Sequence, residues 1–110
     1  MEHKDSNMTL REEKIEQRLN ELMQTVSDIN LDISDLQERA SLKNSAVKDD
    51  YDSISEEVQA VETEISELEY KFTISEISLY LIFLNLKLSF NILKNKLEVT
   101  NYLIKLFYNN

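Results

Sequence analysis

The feature that most constrains this chain is the complete absence of glycine and proline from its 110 residues. Glycine supplies the positive φ angles of many tight turns, and proline interrupts helices and strands. Apolar side chains also recur every three and four positions along most of the chain, which is the spacing of one helix face. Together these features predict an all-α protein built from one or two long helices.

The first apolar run follows a heptad pattern. Spacings of four and three residues alternate over eight positions, which is typical of a left-handed coiled coil. The pattern predicts a seam that binds other polypeptides. Its residues in this run are Ile15, Leu19, Leu22, Val26, Ile29, Ile33, Leu36 and Ala40.

A second run continues the seam in a different phase. From Ala40 to Tyr51 the a position moves by eleven residues, which corresponds to a four-residue stutter. One interpretation is a continuous helix of about 95 Å that unwinds locally at 41–50. The other is an antiparallel helical hairpin with a turn at 41–50. The sequence favours the continuous helix, because no glycine marks a helix end. The seam residues of this run are Val47, Tyr51, Ile54, Val58, Val61, Ile65, Leu68 and Phe72.

Acidic residues flank the second run. From Asp49 through Tyr70 there are nine acids and no base. In a parallel homodimer, carboxylates at the e and g positions would face one another, which disfavours a homo-oligomer. The charges therefore predict coiled-coil partners with basic e and g positions, whereas the alternative interpretation is a solvated acidic face. The residues predicted to select the partner are Asp50, Glu57, Glu62, Glu64 and Glu69.

Charge changes abruptly near Glu76. Residues 1–76 carry a net charge of −12 and residues 77–110 a net charge of +3. We therefore divide the chain into a disordered polar arm (1–8), an acidic coiled-coil segment (9–76) and an apolar, lysine- and asparagine-rich tail (77–110). The overall charge of −9 argues against a nucleic-acid partner.

The tail fits two secondary structures. Apolar and polar residues alternate from Leu84 to Ile92, as in a strand. A helix also fits, because Ile77, Leu81, Leu84 and Leu88 share one helix face. We expect the tail to pack on the rod or on a partner. The alternative is that it lies on a membrane surface, since its uncharged run is too short for a transmembrane span. Its residues also come largely from A/T-rich codons, as in an alternative terminus of a truncated isoform.

The chain lacks the groups that enzyme sites require. His3 is the only histidine and there is no cysteine, so a zinc site is not expected. Without glycine there is no phosphate-binding loop. Paired carboxylates such as Glu56 and Glu57 lie on a helix without a pocket that would shift their pKa values. The sequence therefore predicts no enzyme activity, no metal and no cofactor.

These observations predict a non-enzymatic coiled-coil interaction or scaffold subunit of an intracellular multiprotein assembly, of the cytoskeletal, chromosome or trafficking type. The alternatives are a peripheral membrane adaptor that binds lipid through the tail, and a truncated isoform of a longer coiled-coil protein. The first residues contain no secretory signal, so we expect a location in the cytoplasm, cytoskeleton or nucleus.

Overall fold

The structure, a computed structural model, describes residues 10–42, 46–71 and 77–108. These residues form three α-helices: α1 (Leu10–Ser41), α2 (Val47–Lys71) and α3 (Ile77–Tyr108). The prediction of an all-α protein with long helices is therefore confirmed. The arm predicted for residues 1–8 lies outside the described residues.

Helices α1 and α2 form an antiparallel hairpin. Arg18, near the start of α1, contacts Glu64 near the end of α2, and Arg39 near the end of α1 contacts Asp50. At the end of α1 the Leu42 amide donates to the Arg39 carbonyl at 3.1 Å. Of the two arrangements that the sequence allows, the structure therefore has the hairpin and not the continuous helix.

Burial of apolar surface explains why the chain turns back without a glycine. A continuous helix would leave both seam runs exposed to water, whereas the hairpin brings them together. The Ser41 hydroxyl donates to the Glu38 carbonyl at 2.7 Å, which stabilises the last turn of α1. The molecule extends 60 Å along its longest axis, well short of the 95 Å expected for a continuous helix.

The tail is helical throughout its described length and completes a three-helix bundle. Helix α3 runs antiparallel to α2, because Lys87 contacts Glu69 while the later Lys94 contacts the earlier Glu62. It runs parallel to α1. Eight α3 residues point into the bundle, again with alternating spacings of four and three, and each follows an α1 seam residue by 64 positions. We call them the inner face: Leu79, Phe83, Leu86, Phe90, Leu93, Leu97, Thr100 and Ile104.

The alternating stretch from Leu84 to Ile92 shows why a strand is a plausible expectation. Within this stretch, Leu86 and Phe90 belong to the inner face, whereas Leu84, Leu88 and Ile92 are exposed. Both sides of the helix are apolar here. The alternation therefore comes from two opposite apolar faces of one helix.

Candidate functional site

The predicted seam forms part of the chain's own core. All eight seam residues of α1 are buried, and they are the only buried residues of that helix. In α2 the seam residues Val47 through Leu68 are buried except Tyr51, which is half-buried. Phe72 lies outside the described residues. The role of this seam in binding other polypeptides stays a prediction, and it would require the bundle to open.

Four of the five predicted partner-selecting carboxylates lie in ion pairs within the chain. The pairs are Asp50 with Arg39 at 2.7 Å, Glu62 with Lys94 at 2.8 Å, Glu64 with Arg18, and Glu69 with Lys87 at 3.1 Å. The fifth, Glu57, is exposed on α2. Basic side chains opposite these acids are therefore found within the chain itself, on α1 and α3.

Each of the two paired α3 lysines also contacts an aromatic ring. The Lys87 ammonium lies 5.6 Å from the ring centroid of Phe83, and the Lys94 ammonium lies 5.9 Å from that of Phe90. Both phenylalanines precede their lysine by four residues, which is one helical turn. The rings and the α2 carboxylates therefore hold these lysines at the edge of the core.

Helices α1 and α3 contact each other through side-chain hydrogen bonds, most of which Lys96 donates. Gln37 donates to the Thr100 hydroxyl at 2.9 Å, and Thr100 donates to the Lys96 carbonyl at 2.8 Å. Thr100 is fully buried at a position that the heptad spacing assigns to the core. Lys96 crosses to α1 and donates to the Asn30 side chain at 3.0 Å. These bonds favour one register between the two helices.

Among residues 10–42, 46–71 and 77–108, three side chains have pKa values shifted from their ordinary values. Hydrogen bonding to Glu64, and then to Glu21, raises the pKa of Arg18 above its ordinary value. Bonds to Asp50 and then Asp35 raise the pKa of Arg39 likewise. Burial raises the pKa of Tyr51, with a smaller effect from nearby carboxylates. Each shift follows from packing between helices, and none identifies an acid or base for catalysis.

Among the described residues, most of the large apolar side chains that are exposed lie on the side of α3 opposite its inner face. The side chains of this surface are 42–67% exposed and follow one another at intervals of three, four or seven residues. We call this surface the outer stripe: Ile77, Leu81, Leu84, Leu88, Ile92, Val99, Tyr102 and Leu106. With about 90 Å² for each half-exposed side chain, the stripe presents roughly 700 Å², more than the largest apolar patch of a typical soluble monomer.

A shallow groove between α1 and α3 borders the stripe at its middle. The groove has a volume of about 260 Å³, and Val26 and Leu93 of the core form its base. Its remaining lining is uncharged: Met23, Ser27, Asn30, Ser89 and Ile92. The groove therefore suits an apolar side chain better than a charged ligand.

Sequence reasoning found half of the outer stripe. It placed Ile77, Leu81, Leu84 and Leu88 on one helix face, but did not extend this face to Leu106. Nor did it identify the inner face, although the alternating spacings are present in the sequence. Among residues 10–42, 46–71 and 77–108, no group of three or more His, Cys, Asp or Glu is arranged to hold a metal ion.

Of the helices described, α3 alone is long and apolar enough to cross a membrane. Its length and composition alone give this result, and the core helix of a soluble protein has the same properties. In the bundle, 28% of its most apolar 18-residue window is buried. The expectation that the chain has no transmembrane span stays a prediction.

No protein-family model, curated protein or solved structure matches the chain.

Proposed function

We propose that this protein is a non-enzymatic helical interaction subunit that contacts another polypeptide through the outer stripe of α3. The exposed stripe is the observation that carries the proposal. Soluble monomers rarely expose apolar surface of this size, and patches of this kind commonly mark binding sites. We assign the subunit to an intracellular assembly of the cytoskeletal, chromosome or trafficking type, as its sequence predicts.

The border of the stripe supports a protein partner. Asn85, Asn91 and Asn95 are exposed beside or between the apolar side chains. An apolar surface bordered by polar side chains resembles the composition of protein interfaces. We also propose that the α2 carboxylates select basic partner helices, although four of the five would first have to leave their partners within the chain.

A membrane-surface adaptor is the second candidate. It is supported by the apolar character of α3 and by Lys105, which is exposed near one end of the stripe. Helices that lie on membranes combine an apolar face with basic residues. The truncated-isoform alternative has less support, because α3 supplies a full inner face to the core.

The test of the proposed function compares three versions of the full chain. The stripe variant carries Leu84→Glu and Leu88→Glu. The control carries Leu31→Glu, which changes a leucine that is 66% exposed on α1. After cross-linking in cell extract, we expect the wild type and the control to recover a shared set of proteins, including further copies of the chain. The stripe variant should recover this set at least about tenfold less well. Equal recovery by all three versions would show that the stripe is not the binding surface.

Vesicle flotation separates the two candidates. We expect the full chain to stay unbound with anionic vesicles, because their surface repels its net charge of −9. Flotation of the wild type, but not of the stripe variant, would instead favour the membrane adaptor.

A further inference from the structure

We infer that the outer stripe binds the outer stripe of a second copy of this chain, with the two α3 helices antiparallel. This inference rests on the proposed function and names the polypeptide partner. The resulting dimer would have two-fold symmetry, so the same surface of each copy would form the contact.

The spacing of the stripe suits an antiparallel pairing. Read from either end, the apolar positions begin with intervals of four and then three residues. A two-fold axis between Asn91 and Ile92 would therefore place apolar side chains opposite one another towards both ends of the helix, with asparagines opposite Leu88 and Ile92 near the axis. The opposed pairs would be Ile77 with Leu106, Leu81 with Tyr102, and Leu84 with Val99.

The size of the stripe matches what a stable dimer needs. Its roughly 700 Å² of exposed apolar surface approaches the ~800 Å² that each partner contributes to a standard interface. Exposed asparagines beside the stripe would supply the remaining contact area. A single helix face of 32 residues is therefore sufficient for the contact.

Charge also favours a second copy over an anionic membrane. Helices α1 and α2 carry net charges of −4 and −7, and both lie behind α3 as seen from the stripe. In a dimer these acidic helices would point away from each other, whereas an anionic surface would repel them.

The groove between α1 and α3 supports this arrangement. It lies beside Ile92, close to the proposed two-fold axis. An apolar side chain from the other copy, such as its Ile92, could enter this groove and contact Leu93 at its base. Pockets at the centre of an interface are where binding energy concentrates.

The repulsion that disfavours a homo-oligomer concerns a different helix. In a parallel pair of α2 helices, Glu57 would meet Glu62 of the other copy. In the structure α2 packs against α1 and α3, and Glu62 pairs with Lys94. The repulsion between α2 helices therefore does not oppose a contact made by α3.

The first test measures the mass of the full chain by light scattering at about 10 µM, above the micromolar dissociation constants of weak standard-size interfaces. We expect twice the chain mass of 13.0 kDa for the wild type and for the Leu31→Glu control. The Leu84→Glu, Leu88→Glu variant should have the monomer mass, since its dissociation constant should rise at least about 100-fold. Circular dichroism should show the same helix content for all three chains, because the changed side chains are exposed.

A monomeric wild type would overturn the inference, and so would a stripe variant that remains dimeric. In either case, the cross-linking experiment in cell extract tests the proposed function separately. If that experiment recovers other proteins through the stripe, only the self-pairing is wrong. If it recovers nothing through the stripe, the proposed function also fails.

The second test determines orientation, and the absence of native cysteine makes it simple. Under mild oxidation, a mixture of the Leu81→Cys and Tyr102→Cys chains should form a disulfide between the two variants. Leu81→Cys alone should form almost none, because its two copies would lie at opposite ends of the interface. The reverse result would exclude the antiparallel pairing.

Discussion

Helices α2 and α3 pack side by side but have opposite surface properties. Helix α2 has a net charge of −7 and one apolar face, with an outer side rich in carboxylates. Helix α3 has a net charge of +3 and is apolar on both its inner face and its outer stripe. A helix that only had to complete the core would resemble α2. The second apolar face of α3 is therefore the basis for the proposed contact outside the bundle.

The two helices are also complementary where they meet. Glu62 and Glu69 of α2 lie seven residues apart, as do Lys94 and Lys87 of α3, so one spacing brings both pairs together. The carboxylates of α2 and the lysines of α3 thus support an antiparallel register. Four predictions follow from this comparison, in decreasing order of expected effect.

The largest effect should separate the two faces of α3. Leu86→Ala removes a fully buried inner-face side chain and should lower the free energy of unfolding by about 2–5 kcal/mol. Leu84→Ala, two residues earlier on the outer stripe, should change it by about 0.5 kcal/mol or less. Urea unfolding followed by circular dichroism, at a concentration low enough to keep the chain monomeric, measures both. Equal effects would mean that α3 does not pack as described.

The second prediction concerns the ion pairs between α2 and α3. Glu62→Lys with Glu69→Lys would place like charges opposite Lys94 and Lys87. Because these groups are partly exposed, we expect a loss of only about 1–2 kcal/mol, which added salt should reduce. Restoring opposite charges with Lys87→Glu and Lys94→Glu should recover most of the loss. Failure of this rescue would argue against the pairing.

The third prediction tests the polar contact between α1 and α3. Thr100→Val removes the hydroxyl that accepts from Gln37 and should cost about 1 kcal/mol, since a part-buried amide loses its partner. Gln37→Leu in the same chain should offset part of that cost, because both polar groups are then absent. A double-mutant cycle measures the coupling. Simple additivity would show that the hydrogen bond contributes nothing.

The smallest effect should be a pH dependence at Tyr51. Burial raises the pKa of this phenol in the folded state, so the folded chain keeps its proton at a pH where the unfolded chain has lost it. Stability should therefore fall as pH rises from about 9 to about 11. Tyr51→Phe should reduce that fall, whereas Tyr70→Phe, at a residue that is 91% exposed, should not.

The contrast between α2 and α3 also explains what could be predicted from sequence. Helices α1 and α2 each have one apolar face among charged residues, so the helical spacing of their apolar residues is evident in the sequence. In α3, Leu84 and Leu88 of the outer stripe interleave with Leu86 and Phe90 of the inner face, which obscures the helical period. Thr100 obscures the helical period of the inner face further, because a threonine is not counted among apolar seam residues.

Other features needed the fold itself. The chain turns back after Ser41 without a glycine, so composition could not decide between the hairpin and a continuous helix. The ion-pair partners of Glu62 and Glu69 lie on α3, which the sequence analysis assigned to a separate tail. Residues distant in sequence become neighbours only when α3 packs along both other helices.

The order of the helices has a consequence during synthesis. Helix α3 leaves the ribosome after α1 and α2, at an elongation rate of about 5–20 residues per second. For a few seconds the core-facing side chains of the nascent hairpin therefore remain exposed to water. Because α3 itself has two apolar faces, we expect a chaperone that binds unfolded chains to be most useful during this interval.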